Sequence, residues 1–192
     1  MKNRKLPTVL TTLEVNSLLS QPKSDTIPGL RDKTILEIMY SCGLRVSELT
    51  NLTTKSISHV ERVCRVKGKG NKERLIPVTN SVVKWVDKYV TESRANHPAR
   101  ASATLFPNYK GKPLSRMAIW NLVNKYAQLA GIEKNIHPHT LRHSIATHFY
   151  EQGIDLLAIR DLLGHDDIST TQIYTHTSIA HLKDAFKRHP RR

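Results

Sequence analysis

The chain has 192 residues, with 30 Lys and Arg against 16 Asp and Glu and a formal net charge of +14. Such a length buries a core without disulfides, and Cys42 and Cys64 have neither paired nor metal-ligand spacing, which predicts inert core thiols in a reducing, cytoplasmic setting. No apolar run approaches the roughly 18 residues of a membrane span, so the positive excess points to a polyanion, above all nucleic acid, whose counterions Lys and Arg displace.

Thr11 and Glu14 have capping-box spacing before apolar Val15, Leu18 and Leu19, which predicts a first helix that stops near Pro22. A polar turn through Pro28 and Gly29 is expected next. From Arg31 the residues Ile35, Leu36, Ile38 and Met39 form a helical apolar face that ends at Gly43, and a short helix is expected over residues 46–52 with Arg45 at its start. Between Val60 and Val78, β-branched residues flank a basic, glycine-bearing stretch at 67–72, the pattern of a β-hairpin. Helical spacing returns at Val82, Val83, Trp85, Val86 and Tyr89, pauses over 98–113, and resumes from Ser115 to Leu129 with Gly131 as its stop. Helices over 138–152, 156–163 and 179–186 complete the chain, the second of them capped by Asp155. The fold class is therefore mainly α with a small antiparallel β-sheet, and no repeat or low-complexity linker divides it.

Four segments carry candidate chemistry. In residues 43–49, Arg45 follows a glycine turn where a helix begins, so its planar donors and the helix N-terminus suit a phosphate; an Arg45–Glu48 surface pair would satisfy the same spacing. At the hairpin tip, Lys67, Lys69 and Lys72 alternate with Gly68 and Gly70, which suits phosphate contact or proton delivery but also a solvated turn. His139 and Arg142 share one helix face as a donor pair for an anion. His139 and His143 also have the spacing of zinc-binding helices, but Thr140 stands where that motif needs Glu, so His143 is expected in the core and no metal is expected. Finally, Gly164 ends a helix just before His165, and a polar stretch leads to Tyr174.

Taken in order, residues 43–49, 67–78, 137–148 and 162–176, with the basic His-Pro ending at 189–190, resemble the tyrosine recombinases, and within them the bacterial Xer type. The resemblance implies a tyrosine recombinase catalytic fold that cuts and rejoins DNA through a covalent phosphotyrosine. It implies that Arg45 and Arg142 clamp the phosphate, Lys69 is the hairpin lysine, His139 and His165 are the active-site histidines, and Tyr174 is the nucleophile. Glu48 matches the acidic position that supports the site, and Lys67, Lys72 and Arg74 are candidate DNA contacts. Two arginines stabilise a phosphorane-like state without a metal, so no cofactor is expected.

The family's N-terminal helical clamp domain, a module of about a hundred residues, has no counterpart here, so residues 1–192 are expected to be the catalytic domain alone. The resemblance further implies double-stranded DNA as partner and a tetramer on paired sites through residues 179–192. A related partner recombinase and a septal DNA translocase would accompany a role in chromosome-dimer resolution; phage, plasmid or transposon integration uses the same motifs. Rival readings are a type IB topoisomerase, a DNA-binding regulator with vestigial catalytic residues, and a zinc hydrolase.

Overall fold

The computed structural model describes residues 8–68, 73–164, 183–184 and 186–191. Along these the elements are α1 (Thr12–Ser20), α2 (Ile27–Cys42), α3 (Val46–Thr50), β1 (Ile57–Ser58), β2 (Val63–Lys67), β3 (Glu73–Pro77), α4 (Asn80–Lys88), a π-helical segment (Tyr89–Arg94), α5 (Arg116–Leu129), α6 (Pro138–Glu151) and α7 (Leu156–Leu163). The mainly α architecture with a small antiparallel sheet is thus the one the sequence predicts.

Helix α2 is the axis of the core. Residues 32–42 are buried on every side, with Ile35, Leu36, Ile38 and Tyr40 at 0 % exposure, and α1, α4, the π-helical segment and α6 pack around them. The apolar side chains of α2 contribute about 1.5–3 kcal/mol each by leaving water, and its buried charged ones are paired, Lys33 with Glu37 at 3.1 Å and Asp32 with Arg31 at 2.7 Å. This helix begins earlier than the sequence suggests. The Thr26 hydroxyl accepts the Gly29 N–H at 3.1 Å, so Pro28 and Gly29 lie in the first turn rather than in a loop. A proline is tolerated there because the first-turn N–H groups have no helical partner. The α1 capping box is as expected, with the Thr11 N–H donating to the Glu14 carboxylate at 2.7 Å and the Glu14 N–H to the Thr11 hydroxyl at 3.2 Å.

The hairpin strands alternate correctly. Cys64 and Val66 face the core while Arg65 and Lys67 face out, with Val63, on their side of the strand, also buried, and the register pairs Val63 with Pro77 and Lys67 with Glu73. The structure adds a third strand, β1, which pairs with β2 through Ile57–Cys64 and Ser58–Val63. Two residues are too few for a legible alternation, and so the sequence does not announce it.

The π-helical segment is likewise absent from the sequence reading. It turns Tyr89, Ser93 and Arg94 inward, where Arg94 donates to the Ser102 and Thr104 carbonyls at 2.6 and 3.1 Å and Tyr89 to the Leu105 carbonyl at 3.1 Å. These bonds fasten the loop over 95–114 to the helical core.

Histidine placement on α6 needs a correction. The buried face is Leu141, Ile145, His148 and Phe149, which leaves His143 exposed on the opposite side. His148 is the core histidine, bonded to the Tyr40 hydroxyl at 2.7 Å and the Leu10 carbonyl at 2.8 Å. Of the predicted last helix, Lys183, Asp184 and Phe186 are helical, and 179–182 and 185 lie outside the described residues.

Candidate active site

Helix α2 ends at Gly43 in the left-handed conformation, φ 58°, and a Cβ there would sit 2.5 Å from a Leu163 methyl. Glycine is required on both counts. The turn buries Leu44 and delivers Arg45 to the N-cap of α3. Glu48, three residues on, reaches back: one carboxylate oxygen accepts the Arg45 backbone N–H at 2.9 Å and the other meets the Arg45 guanidinium at 3.2 Å. The surface pair anticipated from spacing is therefore half right, because Arg45 is partly exposed but Glu48 is buried.

Arg74 occupies the other side of that carboxylate. Projecting inward from β3, it binds Glu48 through both terminal nitrogens, at 2.6 and 2.9 Å, with side chains only 8 % and 3 % exposed. Burial by itself would raise the Glu48 carboxyl. The hydrogen bonds and charge of Arg74, then the backbone N–H and charge of Arg45, outweigh that and hold it below the usual carboxylate range. The expectation that Arg74 contacts DNA is corrected: its guanidinium is inside the protein. Lys67 is on the surface, 3.6 Å from Glu73 across the hairpin.

At the C-terminus of α7 the three arginines meet. Arg74 Nε donates to the Leu162 carbonyl at 3.3 Å, Arg142 to the Leu163 carbonyl at 2.5 Å and Arg45 to the Gly164 carbonyl at 2.5 Å. Arg142, itself buried, also donates to the Gly43 carbonyl at 2.5 Å. The last carbonyls of a helix lack helical partners and carry partial negative charge, so consecutive cations there satisfy both needs. Gly164, at φ 64°, closes the helix; a Cβ on it would stand 3.1 Å from the Arg74 guanidinium.

His139 is exposed on the first turn of α6, with Pro138 leading and Thr140 closing a cap on His137. It shares with Arg45 an open cleft of about 410 Å³, also lined by Ser47, Arg116, Trp120 and His137. Two predicted site residues from distant segments thus face one cavity, with Arg142 anchored one carbonyl away from Arg45. Arg116 and Trp120 escaped the sequence reading. Their signal was there, since α5 buries Ile119, Leu122, Val123 and Tyr126, which leaves a tryptophan on the solvent side at 45 % exposure. Among the described residues no three His, Cys, Asp or Glu gather as a metal site. Lys69, Lys72, His165 and Tyr174 lie outside the described residues.

A cleft that holds two arginines and two histidines suits an anion such as a phosphate. The phage integrase family model matches residues 8–181, and the chain belongs to that family. It is similar to the tyrosine recombinase XerD of Pseudomonas aeruginosa, 45 % identical over 185 residues, which are 96 % of this chain and 62 % of that protein. XerD of Staphylococcus aureus is 44 % identical over 191 residues, 98 % of this chain and 65 % of that protein. The chain therefore spans less than two thirds of the length of these relatives.

Among solved structures, an integrase from mycobacterium phage Brujita has the same fold, with a TM-score of 0.80 at 23 % identity over 100 % of this chain and 61 % of that one. The XerH recombinase, in a post-cleavage complex with its palindromic difH substrate, gives a TM-score of 0.76 at 27 % identity over 94 % of this chain and 53 % of that one.

Proposed function

We propose that this chain is the catalytic domain of a site-specific tyrosine recombinase, which cleaves and rejoins double-stranded DNA through a 3'-phosphotyrosyl intermediate on Tyr174. The observation that carries the reading is the convergence of Arg45 and Arg142 on the adjacent carbonyls of Gly164 and Leu163, with His139 across the same cleft as Arg45. Two guanidiniums held in place stabilise the extra negative charge of a phosphorane-like transition state without reorganising.

A phenol of ordinary pKa is only about one part in a thousand ionised at neutral pH, so Tyr174 gives up its proton as it attacks, with His139 as acceptor. Lys69 protonates the departing 5' oxygen, and His165 hydrogen-bonds the phosphate. The phosphotyrosyl bond keeps the energy of the broken diester, and the strand is resealed onto a new partner without ATP. Lys67 and Lys72 add phosphate contacts along the hairpin.

By similarity to the XerD proteins and the DNA-bound XerH complex, the biological role is Xer-like resolution of chromosome or plasmid dimers or the movement of a mobile element, in the cytoplasm. The assembly is a tetramer on two sites, with residues 179–192 as the candidate joint except Phe186 and His189, which are buried in this chain's own core and so not free to dock on a neighbour; a related recombinase and a septal translocase are further partners. Incubation with a nicked suicide duplex carrying a candidate site, followed by a denaturing gel, tests the chemistry. A covalent band with the parent that Tyr174→Phe abolishes supports it. Absence of the adduct with both proteins, also after an N-terminal clamp domain is supplied, leaves a non-catalytic DNA-binding regulator.

A further inference from the structure

We propose that Arg74 is a positioning residue for strand cleavage, a side chain that locks the Arg45–Glu48 pair, the end of α7 and the hairpin into a single unit. The inference rests on the strand-cleaving reading given above. Arg74 grips both oxygens of Glu48, at 2.6 and 2.9 Å, and those same two oxygens hold the backbone N–H and the guanidinium of Arg45. Its third nitrogen takes the Leu162 carbonyl, next in line to the two carbonyls that receive Arg142 and Arg45. The flat guanidinium lies close over Gly164, 3.1 Å separating an added Cβ from three of its atoms, so any other residue there has to push it aside. Arg74 also belongs to β3, the strand that follows residues 69–72 with Lys69 among them.

A merely structural ion pair explains less. Removing two charges from water costs as much as their attraction returns, so an apolar pair would hold the core equally well. What the fork of Arg74 supplies beyond stability is direction, because its donors fix the plane of the carboxylate that in turn aims Arg45. Lysine keeps the charge but offers one point instead of a fork. Misplacement of a transition-state ligand by a fraction of an ångström to an ångström is expected to slow chemistry while leaving ground-state contacts nearly intact.

The test compares the parent chain with Arg74→Lys and with the double variant Glu48→Gln/Arg74→Met, which leaves neither member of the pair charged. Three quantities are read on each: the thermal unfolding midpoint, the Kd for an intact duplex with its salt dependence, and the single-turnover rate of covalent adduct formation on the nicked suicide duplex. Both variants are expected to fold and to bind within about threefold of the parent, yet to form adduct about 100-fold more slowly. The proposal is overturned if Arg74→Lys cleaves within about threefold of the parent. It is equally overturned if affinity falls as far as the rate with a shallower salt slope, the signature of a phosphate contact, or if neither variant folds, which makes Arg74 a core residue only. A parent chain that forms no adduct, also after an N-terminal clamp domain is supplied, removes the strand-cleaving reading itself, and the proposal with it.

Discussion

At the scale of single residues, the site is built on side chains whose neighbours leave them few choices. Gly164 combines φ 64° with a guanidinium 3.1 Å from any added Cβ, so Gly164→Ala has to accept left-handed strain and displace Arg74 together. Its cost is expected to be about 1–2 kcal/mol from the backbone alone, with more from the displaced pair, measured by urea unfolding; a loss under about 0.5 kcal/mol contradicts the packing. The two thiols are fixed differently. Burial pushes Cys64 up to about 12 and Cys42 well above its ordinary value, and both are fully enclosed. Alkylation by iodoacetamide near pH 8 is therefore expected to proceed only as fast as the protein opens, and to accelerate in parallel with added denaturant. Rapid labelling in the absence of denaturant contradicts the assignment of Cys42 and Cys64 to the core. Their burial was expected from the lack of paired or metal-ligand spacing, whereas that of Arg74 was not: a basic residue beside a lysine-rich tip looks like a DNA contact until the inward phase of β3 is known.

At the scale of elements, helix ends explain most of what was legible and most of what was missed. Thr11, Ser115 and Asp155 announced their helices because a short polar acceptor before an apolar period has a single local meaning. The start of α2 was hidden by Pro28 and Gly29, residues that signal a turn in isolation and are harmless in a first turn capped by Thr26. His143 was misplaced because the i, i+4 spacing from His139 says nothing about which face of α6 is inward. The burial of Leu141, Ile145 and Phe149 decides that, and it is a tertiary fact. The candidate cleft shows the same division. Arg45 and His139 could be named from their segments, but their convergence, and the presence of Arg116 and Trp120 beside them, depends on how α3, α5 and α6 pack. Helix α7 matters most, since its terminal carbonyls are the common anchor of three arginines. The Asp155 carboxylate accepts the Leu157 and Ala158 N–H groups at 2.8 and 3.4 Å, so Asp155→Ala is expected to cost about 1 kcal/mol in thermal or urea unfolding. Asp155→Ser retains an acceptor and is expected to recover most of that loss, while equal losses in the two variants point to charge rather than capping.

At the scale of the whole molecule, the end of the chain is part of the core that supports the site. Phe186 packs on Phe149 with ring centroids 5.5 Å apart, His189 is 1 % exposed, and Arg191 reaches the fully buried Glu37 at 2.5 Å, beside Lys33 at 3.1 Å. His189 is held as the neutral imidazole. Its Nε2–H donates to the Ser41 carbonyl at 3.1 Å while Nδ1 accepts the Arg191 N–H at 2.8 Å, so a second ring proton has no acceptor and meets an existing donor. Burial foremost, then the charges of Arg191 and His148 against the opposing pull of the Ser41 carbonyl, depresses its pKa from 6.5 to about 4. The unfolded chain therefore takes up this proton first as pH falls. The contribution of neutral His189 is complete above about pH 6.5, declines between there and about pH 4, and is constant below, a total of roughly 3 kcal/mol. Glu48 changes in the same direction, because a carboxyl held below its ordinary value also loses its contribution on acidification. A comparison with His189→Gln, an amide that can still donate to Ser41, isolates the histidine. Urea unfolding of the two proteins at about pH 7.5, 5.5 and 4.5 is expected to show the parent's advantage shrinking with each step. An advantage that stays constant across the series means that His189 does not gain a proton on unfolding, and that the tail does not close over α2 and α6 in solution as it does in this structure.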